Sequence, residues 1–416
     1  MRREPNRTAI VLSGGGTRGA YEAGVIHYIR TMLPARIASQ LQFQILSGAS
    51  VGAINAAFLA ATAHDLSYQG RAVVELWEGI RSEQIYRRGP IPLGKLLLRT
   101  LVGMAAHTIG IRGIRRKDDR AFSFQGVFDT QPFAQTLRQL LPWTHIAKNL
   151  LQERIDAVAI CATNMQTGQT EIFLQSRGDF PAHSRIRLRR VRLSPRHLLA
   201  SAALPILFPP VPIHGVYYTD GSVRLNTPLT PAVALDARRM LIIGTRFGWP
   251  SPPPPSAEPQ ADTPPTLAAL LGKIFNAILL DRLEVDREQL DRINRILAVC
   301  EKHVSPQTYR SICGEARVHQ IETLSIFPSQ DIAKLVDETI WRSYKKLETI
   351  GTFERIILRI LESDEKTGDD LISFFLFEPS FLKRLIELGF EDARSHHDQL
   401  VQFGENALGP DNRTRR

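Results

Sequence analysis

The feature that most constrains the fold is a serine between two glycines, where an apolar strand would pass directly into a helix. Gly48, Ser50 and Gly52 form a GxSxG pattern, residues 43–46 before it are mostly apolar, and residues 51–61 after it are mostly small. An abrupt strand-to-helix turn strains its central residue, and the glycines remove Cβ atoms that would clash. The hydroxyl would lie at a helix N-terminus, where free N–H groups favour negative charge. The pattern predicts a nucleophilic serine; a turn that only packs a helix tightly against a sheet is the alternative.

A glycine-rich turn comes earlier in the chain, after a first buried strand predicted over residues 8–12. This turn contains Gly14, Gly15, Gly16 and Gly19. Its backbone N–H groups would form an anion-binding nest. The same glycines match the dinucleotide pattern GxGxxG, which expects a carboxylate about 20 positions later. The second predicted strand ends at the serine turn instead. We therefore favour an oxyanion hole in which the amides of Gly15 and Gly16 lie beside Ser50, since both turns follow parallel strands at one sheet edge.

The position of the serine turn argues against an ordinary α/β-hydrolase. That fold brings in its elbow after several strands and supplies a histidine near the end of the chain. Before Ser50 there is room for only one strand, one helix and a second strand. His303 or His319 would complete the chain order of a triad, but neither lies in a motif. Asp220 and Gly221 form a tight turn after a predicted strand, and such a turn taken alone is more often structural than catalytic.

The three motifs together resemble the patatin-like phospholipases. The glycine-rich turn with Arg18 is similar to the oxyanion motif of that family, and the turn at Ser50 is similar to its nucleophile elbow. Asp220 and Gly221 resemble its catalytic Asp-Gly pair, although Ser222 follows where the family usually has Gly or Ala. The resemblance covers residues 8 to about 244. It implies a three-layer α/β/α sandwich of the patatin type, with a mostly parallel central sheet and a helical C-terminal part.

The resemblance also implies a chemistry. Ser50 would attack an ester carbonyl and Asp220 would take its proton. The remaining residues implied for the site are Gly14, Gly15, Gly16 and Arg18 at the oxyanion hole, with Gly48, Gly52 and Gly221 at the elbow and the aspartate turn. Arg18 would steady the loop or a lipid phosphate, and an exposed cation at a helix start is the alternative. Neither a metal nor another cofactor is implied.

A phospholipase A-type hydrolase is the function that the resemblance favours. An acyltransferase would use the same serine and differ only in its acceptor. A non-catalytic protein that binds lipid or nucleotide would keep the glycine-rich turn without needing Ser50 or Asp220, although the missing carboxylate after the second strand argues against nucleotide.

Composition limits the partners. The chain has 52 basic and 42 acidic residues among 416, which suits an anionic partner such as a phospholipid surface or nucleic acid. The arginine-rich stretch 185–192 would form a solvated strand edge, which we favour, or a patch for lipid phosphates. Nucleic acid is a further alternative, but the interleaved aromatic residues typical of nucleic-acid binding are missing. Cys161, Cys300 and Cys313 are widely spaced, which predicts neither a zinc site nor a disulfide framework and favours a reducing compartment. We find no signal peptide and no membrane span, so we expect a cytoplasmic or peripheral membrane protein.

The chain divides by composition into four parts. Residues 1–249 are predicted to form the catalytic core. Residues 250–265 contain eight prolines and are predicted to be a loop or linker. Residues 266–408 are predicted to be mostly helical and packed on the same domain, because 320–327 resembles a strand that could rejoin the sheet. Residues 409–416 form a basic tail.

Three apolar runs lie outside these motifs. Residues 93–114 carry scattered basic residues and would form a membrane-facing cap or a solvated lid. Residues 371–377 and 381–386 are strongly apolar. We interpret both as helix-packing core, with membrane insertion as the less favoured alternative.

Overall fold

The computed structural model describes most of the chain. The described residues are 7–88, 126, 128–178, 180, 187–224, 228–247, 283–316, 318–336 and 373–408. The apolar run 93–114, the proline-rich segment 250–265 and the basic tail 409–416, for which predictions are given above, lie outside them.

A nine-stranded sheet lies at the centre of the described chain. Its strands are β1 (Thr8–Leu12), β2 (Ile45–Ala49), β5 (Ala157–Asn164), β6 (Thr170–Ser176), β7 (Arg187–Arg190), β8 (Val211–Ile213), β9 (Val216–Asp220), β10 (Arg239–Ile243) and β11 (Glu322–Ile326). A separate antiparallel pair consists of β3 (Arg87–Arg88) and β4 (Phe128–Asp129). The main strand order is β11-β10-β1-β2-β5-β6-β7, and the strands from β11 to β5 are parallel. Strand β6 is antiparallel to β5, and β7 is parallel to β6.

Helices cover both faces of this sheet. They are α1 (Gly19–Thr31), α2 (Ala35–Gln40), α3 (Val51–Thr62), α4 (Leu66–Gly79), α5 (Ser82–Ile85), α6 (Gln131–Leu140), α7 (Trp143–Leu151), α8 (Pro195–Ser201), α9 (Leu229–Ala234), α10 (Leu283–His303), α11 (Pro306–Ala316), α12 (Ile332–Val336), α13 (Pro379–Ser395) and α14 (His397–Leu408). Alternate side chains of a strand point to opposite faces. Ile10 and Leu12 pack in the core that contains α1 and α3, whereas Ala9 and Val11 pack in the core that contains α9. The predicted three-layer α/β/α fold is confirmed.

Two strands share one side of β5. Strand β2 pairs with the first five residues of β5, so that Ala49 lies opposite Cys161. Strand β9 runs antiparallel and pairs with the last three, so that Asp220 lies opposite Ala162. The carboxyl ends of β2 and β9 therefore meet at adjacent positions of β5. Ser50, which follows Ala49, therefore lies close to Asp220, which ends β9.

The C-terminal segment packs on the same sheet. The strand predicted over residues 320–327 is β11, which extends the sheet beside β10. Helix α13 crosses α1 closely, because a Cβ atom at Gly24 or at Gly389 would overlap a carbonyl oxygen of the other helix. The Tyr21 hydroxyl in α1 donates to Asp392 in α13 at 3.0 Å. These contacts join the C-terminal part to the helix that follows β1, whereas the domain boundaries themselves stay a prediction.

One apolar run differs from the interpretation given above. Residues 373–377, the described part of the run 371–377, are buried as predicted, but they form a turn rather than a helix. We call them the C-terminal strap. Their carbonyl groups bond other parts of the chain: Phe374 O accepts from the Thr17 N–H at 3.0 Å, and Phe375 O accepts from the Tyr86 hydroxyl at 3.0 Å. These carbonyls therefore serve as acceptors for distant groups. The second run, 381–386, lies in α13.

Candidate active site

Ser50 occupies the turn between β2 and α3 in a conformation that few residues adopt. Its φ is +52°, in the region that side chains disfavour, so the backbone is strained there. Both flanking positions require glycine, because backbone carbonyl groups approach them closely. A Cβ atom at Gly48 would overlap the carbonyl of Gly52, and one at Gly52 would overlap the carbonyl of Leu12. The GxSxG pattern therefore forms the predicted sharp elbow, and Ser50 begins a helix directly beside the end of β1.

Ser201 supports this elbow and was missed by the sequence reasoning. Its hydroxyl accepts a hydrogen bond from the Ser50 N–H at 3.0 Å and donates to Cys161 O at 2.6 Å. It lies at the end of α8, in a run of small residues that carries no motif by itself. The bond fixes the peptide of Ser50 to the central strand β5.

Asp220 ends β9 and faces the serine. Its Oδ2 accepts from the Ser50 hydroxyl at 2.7 Å, and its Oδ1 accepts from the Ser222 N–H at 2.7 Å. The Asp220 N–H donates to Ala203 O at 2.9 Å, and the Thr163 hydroxyl donates to Asp220 O at 2.9 Å. A Cβ atom on the next residue, Gly221, would overlap a carbonyl of β5. Both carboxylate oxygens and both backbone polar groups of Asp220 therefore have hydrogen-bond partners.

Burial changes the acidity of this carboxyl group. Asp220 is fully buried, and loss of hydration raises its pKa from 3.8 to about 6. Hydrogen bonds from Ser50 and Ser222 favour the ionised form and oppose the rise. A carboxylate with a pKa of about 6 is mostly ionised at neutral pH and is a stronger base than an exposed aspartate.

The glycine-rich turn lies beside the elbow. Gly16 has a φ of +58°, and a Cβ atom there would overlap Phe374 O of the strap. The Thr245 hydroxyl donates to Gly14 O at 2.6 Å. Within the described chain, the N–H groups of Gly15 and Gly16 have no hydrogen-bond acceptor. Unpaired N–H groups of this kind suit an anion.

Arg18 is buried beneath this turn. Its guanidinium group donates to the Ser373 hydroxyl at 2.6 Å and to Thr245 O at 3.3 Å, and it lies 4.2 Å from the ring centre of Phe374. These contacts tie the turn to the strap. Arg18 is therefore not an exposed cation at a helix start, which was the alternative drawn from the sequence.

A buried polar network joins the elements behind the turn and the elbow. The Asn55 amide in α3 donates to Glu22 at 2.8 Å and to Gly19 O at 3.0 Å in α1. Its Oδ1 accepts from the Trp77 indole in α4 at 2.9 Å. Burial raises the pKa of Glu22 well above its usual range. The network fixes the starts of α1 and α3 relative to each other, and these two starts carry the glycine-rich turn and Ser50.

Gly16 and Ser50 line an apolar cavity. The other lining residues are Val51, Ile54, Trp77, Ile80, Ile85, Phe133, Thr136, Leu137, Leu140, Ala202, Leu204, Phe208, Phe374, Phe375 and Phe377. The free volume is about 50 Å³, which a water molecule or two would fill. An acyl chain would therefore enter only if lining side chains moved. A larger open groove of about 710 Å³, which contains neither Ser50 nor Asp220, lies at the amino ends of β10 and β11.

The other candidates from the sequence lie elsewhere. His303 bonds Val299 O in its own helix, and His319 bonds Ala237 O near the amino end of β10. In the arginine-rich stretch, Arg187 and Arg189 lie in β7 and pair with the buried carboxylate of Glu171 at 3.5 and 2.9 Å. None of these groups reaches Ser50.

Among the described residues, no helix has the length and apolar character needed to cross a bilayer. The same residues contain no group of three histidine, cysteine, aspartate or glutamate side chains that could hold a metal ion.

Comparison with known proteins gives one family match. The family model described as Patatin-like phospholipase matches residues 10–233. Curated proteins give no match. Among solved structures, the chain is similar to VipD from Legionella pneumophila, with 15% identity and a TM-score of 0.35, over 96% of this chain and 67% of VipD. It is also similar to human GIVD cytosolic phospholipase A2 in complex with methyl gamma-linolenyl fluorophosphonate, with 11% identity and a TM-score of 0.39, over 97% of this chain and 59% of the human chain.

Proposed function

The chain belongs to the patatin-like phospholipase family, and on this premise we propose that it hydrolyses fatty-acyl esters of lipids through an acyl-Ser50 intermediate. The observation that carries the proposal is the hydrogen bond of 2.7 Å between the Ser50 hydroxyl and Asp220 Oδ2. A hydroxyl paired with a carboxylate is suited to attack on an ester, and the apolar walls of the adjacent cavity would surround an acyl chain once lining side chains had moved.

The first half of the reaction transfers the acyl group to the enzyme. Ser50 Oγ attacks the ester carbonyl carbon while Asp220 Oδ2 takes the hydroxyl proton. The carbonyl oxygen gains negative charge, which the free N–H groups of Gly15 and Gly16 would stabilise, with Gly14 completing the turn. The carbon–oxygen bond to the alcohol then breaks, the proton on Asp220 passes to the leaving alkoxide, and the acyl group stays on Ser50.

The second half returns the enzyme to its starting state. A water molecule gives a proton to Asp220 and attacks the acyl-serine carbonyl, and the same N–H groups hold the oxyanion. The carbon–oxygen bond to Ser50 breaks, the serine recovers the proton from Asp220, and the fatty acid leaves. An alcohol in place of water would give acyl transfer, which remains the alternative activity of the same site.

Arg18 acts in this scheme through the glycine-rich turn. Its bonds to Ser373 and Thr245 hold the backbone that presents the N–H groups, so we assign it a positioning role rather than contact with lipid phosphate. Gly48, Gly52 and Gly221 allow the close backbone approach that brings Ser50 and Asp220 together.

Release of fatty acid from mixed phospholipid vesicles tests the proposal. The intact chain is compared with Ser50→Ala and Asp220→Asn, and with Ser39→Ala and Asp398→Asn as the same changes at exposed sites. We expect the intact chain and both controls to release fatty acid. Both site variants should lose about three or more orders of magnitude in kcat, because nucleophile and base act as one unit.

The products distinguish the remaining alternatives. If an added alcohol captures the acyl group faster than water does, the protein is an acyltransferase. Full activity in Asp220→Asn would refute the serine–aspartate mechanism. An intact chain that binds vesicles but never releases fatty acid would support a lipid-binding protein instead.

A further inference from the structure

Four exposed apolar side chains surround the candidate site at the carboxyl edge of the parallel strands. Between 44% and 53% of each residue is exposed, although large apolar residues are usually buried. They are Met165, Ile206, Tyr217 and Phe247. Together with Arg187 and Arg224, described below, they form what we call the rim surface.

Each apolar member is tied to the site by a short stretch of backbone. Tyr217 lies three residues before Asp220 in β9, and the Met165 N–H donates to Tyr217 O at 2.9 Å. Ile206 lies three residues after Ala203, whose carbonyl accepts from the Asp220 N–H. Three residues of extended chain span about 10 Å at most. These three side chains therefore lie around the mouth of the site rather than on a remote face.

Phe247 follows β10, near the glycine-rich turn. It lies two residues after Thr245, whose hydroxyl bonds Gly14 O in the glycine-rich turn. The rim surface thus spans both the aspartate side and the oxyanion side of the site. Ile206 also has a φ of +71°, a strained conformation for a β-branched residue, and strained backbone is common near functional sites.

Two exposed arginines lie near these apolar side chains. Arg187 at the start of β7 and Arg224 after β9 are both exposed, and the Arg224 guanidinium donates to Gly168 O in the turn that contains Met165. In the described chain from 157 to 247, two of the three carboxylates are fully buried. The third, Asp236, is 3.6 Å from Arg7 at the opposite edge of the sheet. Exposed cations around exposed apolar groups match an anionic bilayer surface.

We propose that the rim surface docks the protein on bilayers rich in anionic phospholipid, with the arginines at the headgroups and the apolar side chains inserted between them. Docking in this orientation brings the mouth of the site against the lipid layer, so that an acyl ester can pass from the bilayer towards Ser50. The inference rests on the proposed function, because it gives the same site its source of substrate.

Vesicle sedimentation in a Ser50→Ala background tests docking without hydrolysis of the vesicles. The vesicles are phosphatidylcholine alone or phosphatidylcholine with phosphatidylserine. We expect stronger binding to the anionic vesicles, weakened by added salt. Tyr217→Ser with Phe247→Ser should lower the partition coefficient by about tenfold or more. The matched control is Met32→Ser with Leu151→Ser, since these exposed apolar residues lie at the ends of α1 and α7, at the opposite edge, and should leave binding within about twofold.

A second measurement reports the orientation directly. Tyr217→Trp and Leu151→Trp each add one indole to the parent fluorescence, and brominated lipids quench an indole that enters the bilayer. We expect extra quenching from residue 217 and none from residue 151. Thermal unfolding of every variant shows that it is folded.

The outcomes separate the two proposals. Loss of binding in the rim variant alone, together with quenching at residue 217, supports docking. If the intact chain also never releases fatty acid, only the proposed function is refuted. Equal binding by the rim and control variants, absence of binding to either vesicle, or quenching at residue 151 overturns the docking orientation. Release of fatty acid from vesicles in those cases would leave the proposed function standing.

Discussion

Replacing Asp220 by asparagine should remove activity and should favour the folded state, relative to wild type, more at neutral pH than at acidic pH. The wild-type carboxyl group has a pKa of about 6 when folded and, when unfolded, a pKa near its ordinary value of 3.8. Between these values the folded chain holds a proton that the unfolded chain has lost. The free energy of unfolding therefore falls as pH rises through this window, because the ionised group is better hydrated in the unfolded chain.

The size of the effect follows from the shift. One pKa unit corresponds to about 1.4 kcal/mol, so the rise in the pKa of Asp220 lowers the wild-type free energy of unfolding by about 3 kcal/mol at pH 7, relative to acidic pH. Asparagine does not titrate. The difference in unfolding free energy between Asp220→Asn and wild type should therefore be about 2 kcal/mol larger at about pH 7 than at about pH 4.5. Comparing the two pH values cancels the constant effect of altering the hydrogen bonds to Ser50 and Ser222.

Urea unfolding followed by circular dichroism, at both pH values, measures this difference. Asp398→Asn, in the exposed first turn of α14, controls for the substitution itself. A difference that stays constant between the two pH values, or one that is smaller at the higher pH, would refute the raised pKa of Asp220. The proposed base would then lack the environment that strengthens it.

Two further predictions concern activity. The kcat/KM for ester hydrolysis should fall about tenfold per pH unit below about pH 6 and level off above it, because Asp220 must be ionised to accept the serine proton; a rate independent of pH between about 4.5 and 7 would contradict this assignment. Gly52→Ala should abolish activity and lower the thermal midpoint, since the added Cβ would overlap the carbonyl of Leu12, whereas Gly314→Ala, with open space around it, should change neither. Full activity in Gly52→Ala would show that the elbow tolerates a wider turn.

The part of the site that local sequence could predict is the part made by strand ends. Ser50 and Asp220 are 170 positions apart, yet each follows a recognisable strand and carries a turn motif. Turns that follow parallel strands meet at one edge of a sheet, so a position of the glycine-rich turn near Ser50 could be expected, and Gly16 and Ser50 line the same cavity. The end-to-end meeting of β2 and β9 on β5 could not be predicted, because it depends on the register of β9.

The supporting contacts had no comparable signal. Ser201 is an ordinary serine in a small-residue run, and its value to the elbow comes from a hydrogen bond to Ser50 across 151 positions. Ser373 and Phe374 lie in an apolar run that suggests only a buried core. Hydrophobic pattern specifies burial, but it does not specify which distant polar group will bond a particular carbonyl.

The C-terminal strap has a consequence for how the protein is made. Ser373 follows Arg18 by 355 positions, and Phe374 O is the acceptor for the N–H of Thr17. A chain still emerging from the ribosome has its nucleophile, its aspartate and its glycine-rich turn long before it has this acceptor. We therefore expect a nascent chain to lack the contacts that hold the glycine-rich turn until the strap has been synthesised, and any ester hydrolysis that depends on this turn to begin only after the strap has bound it.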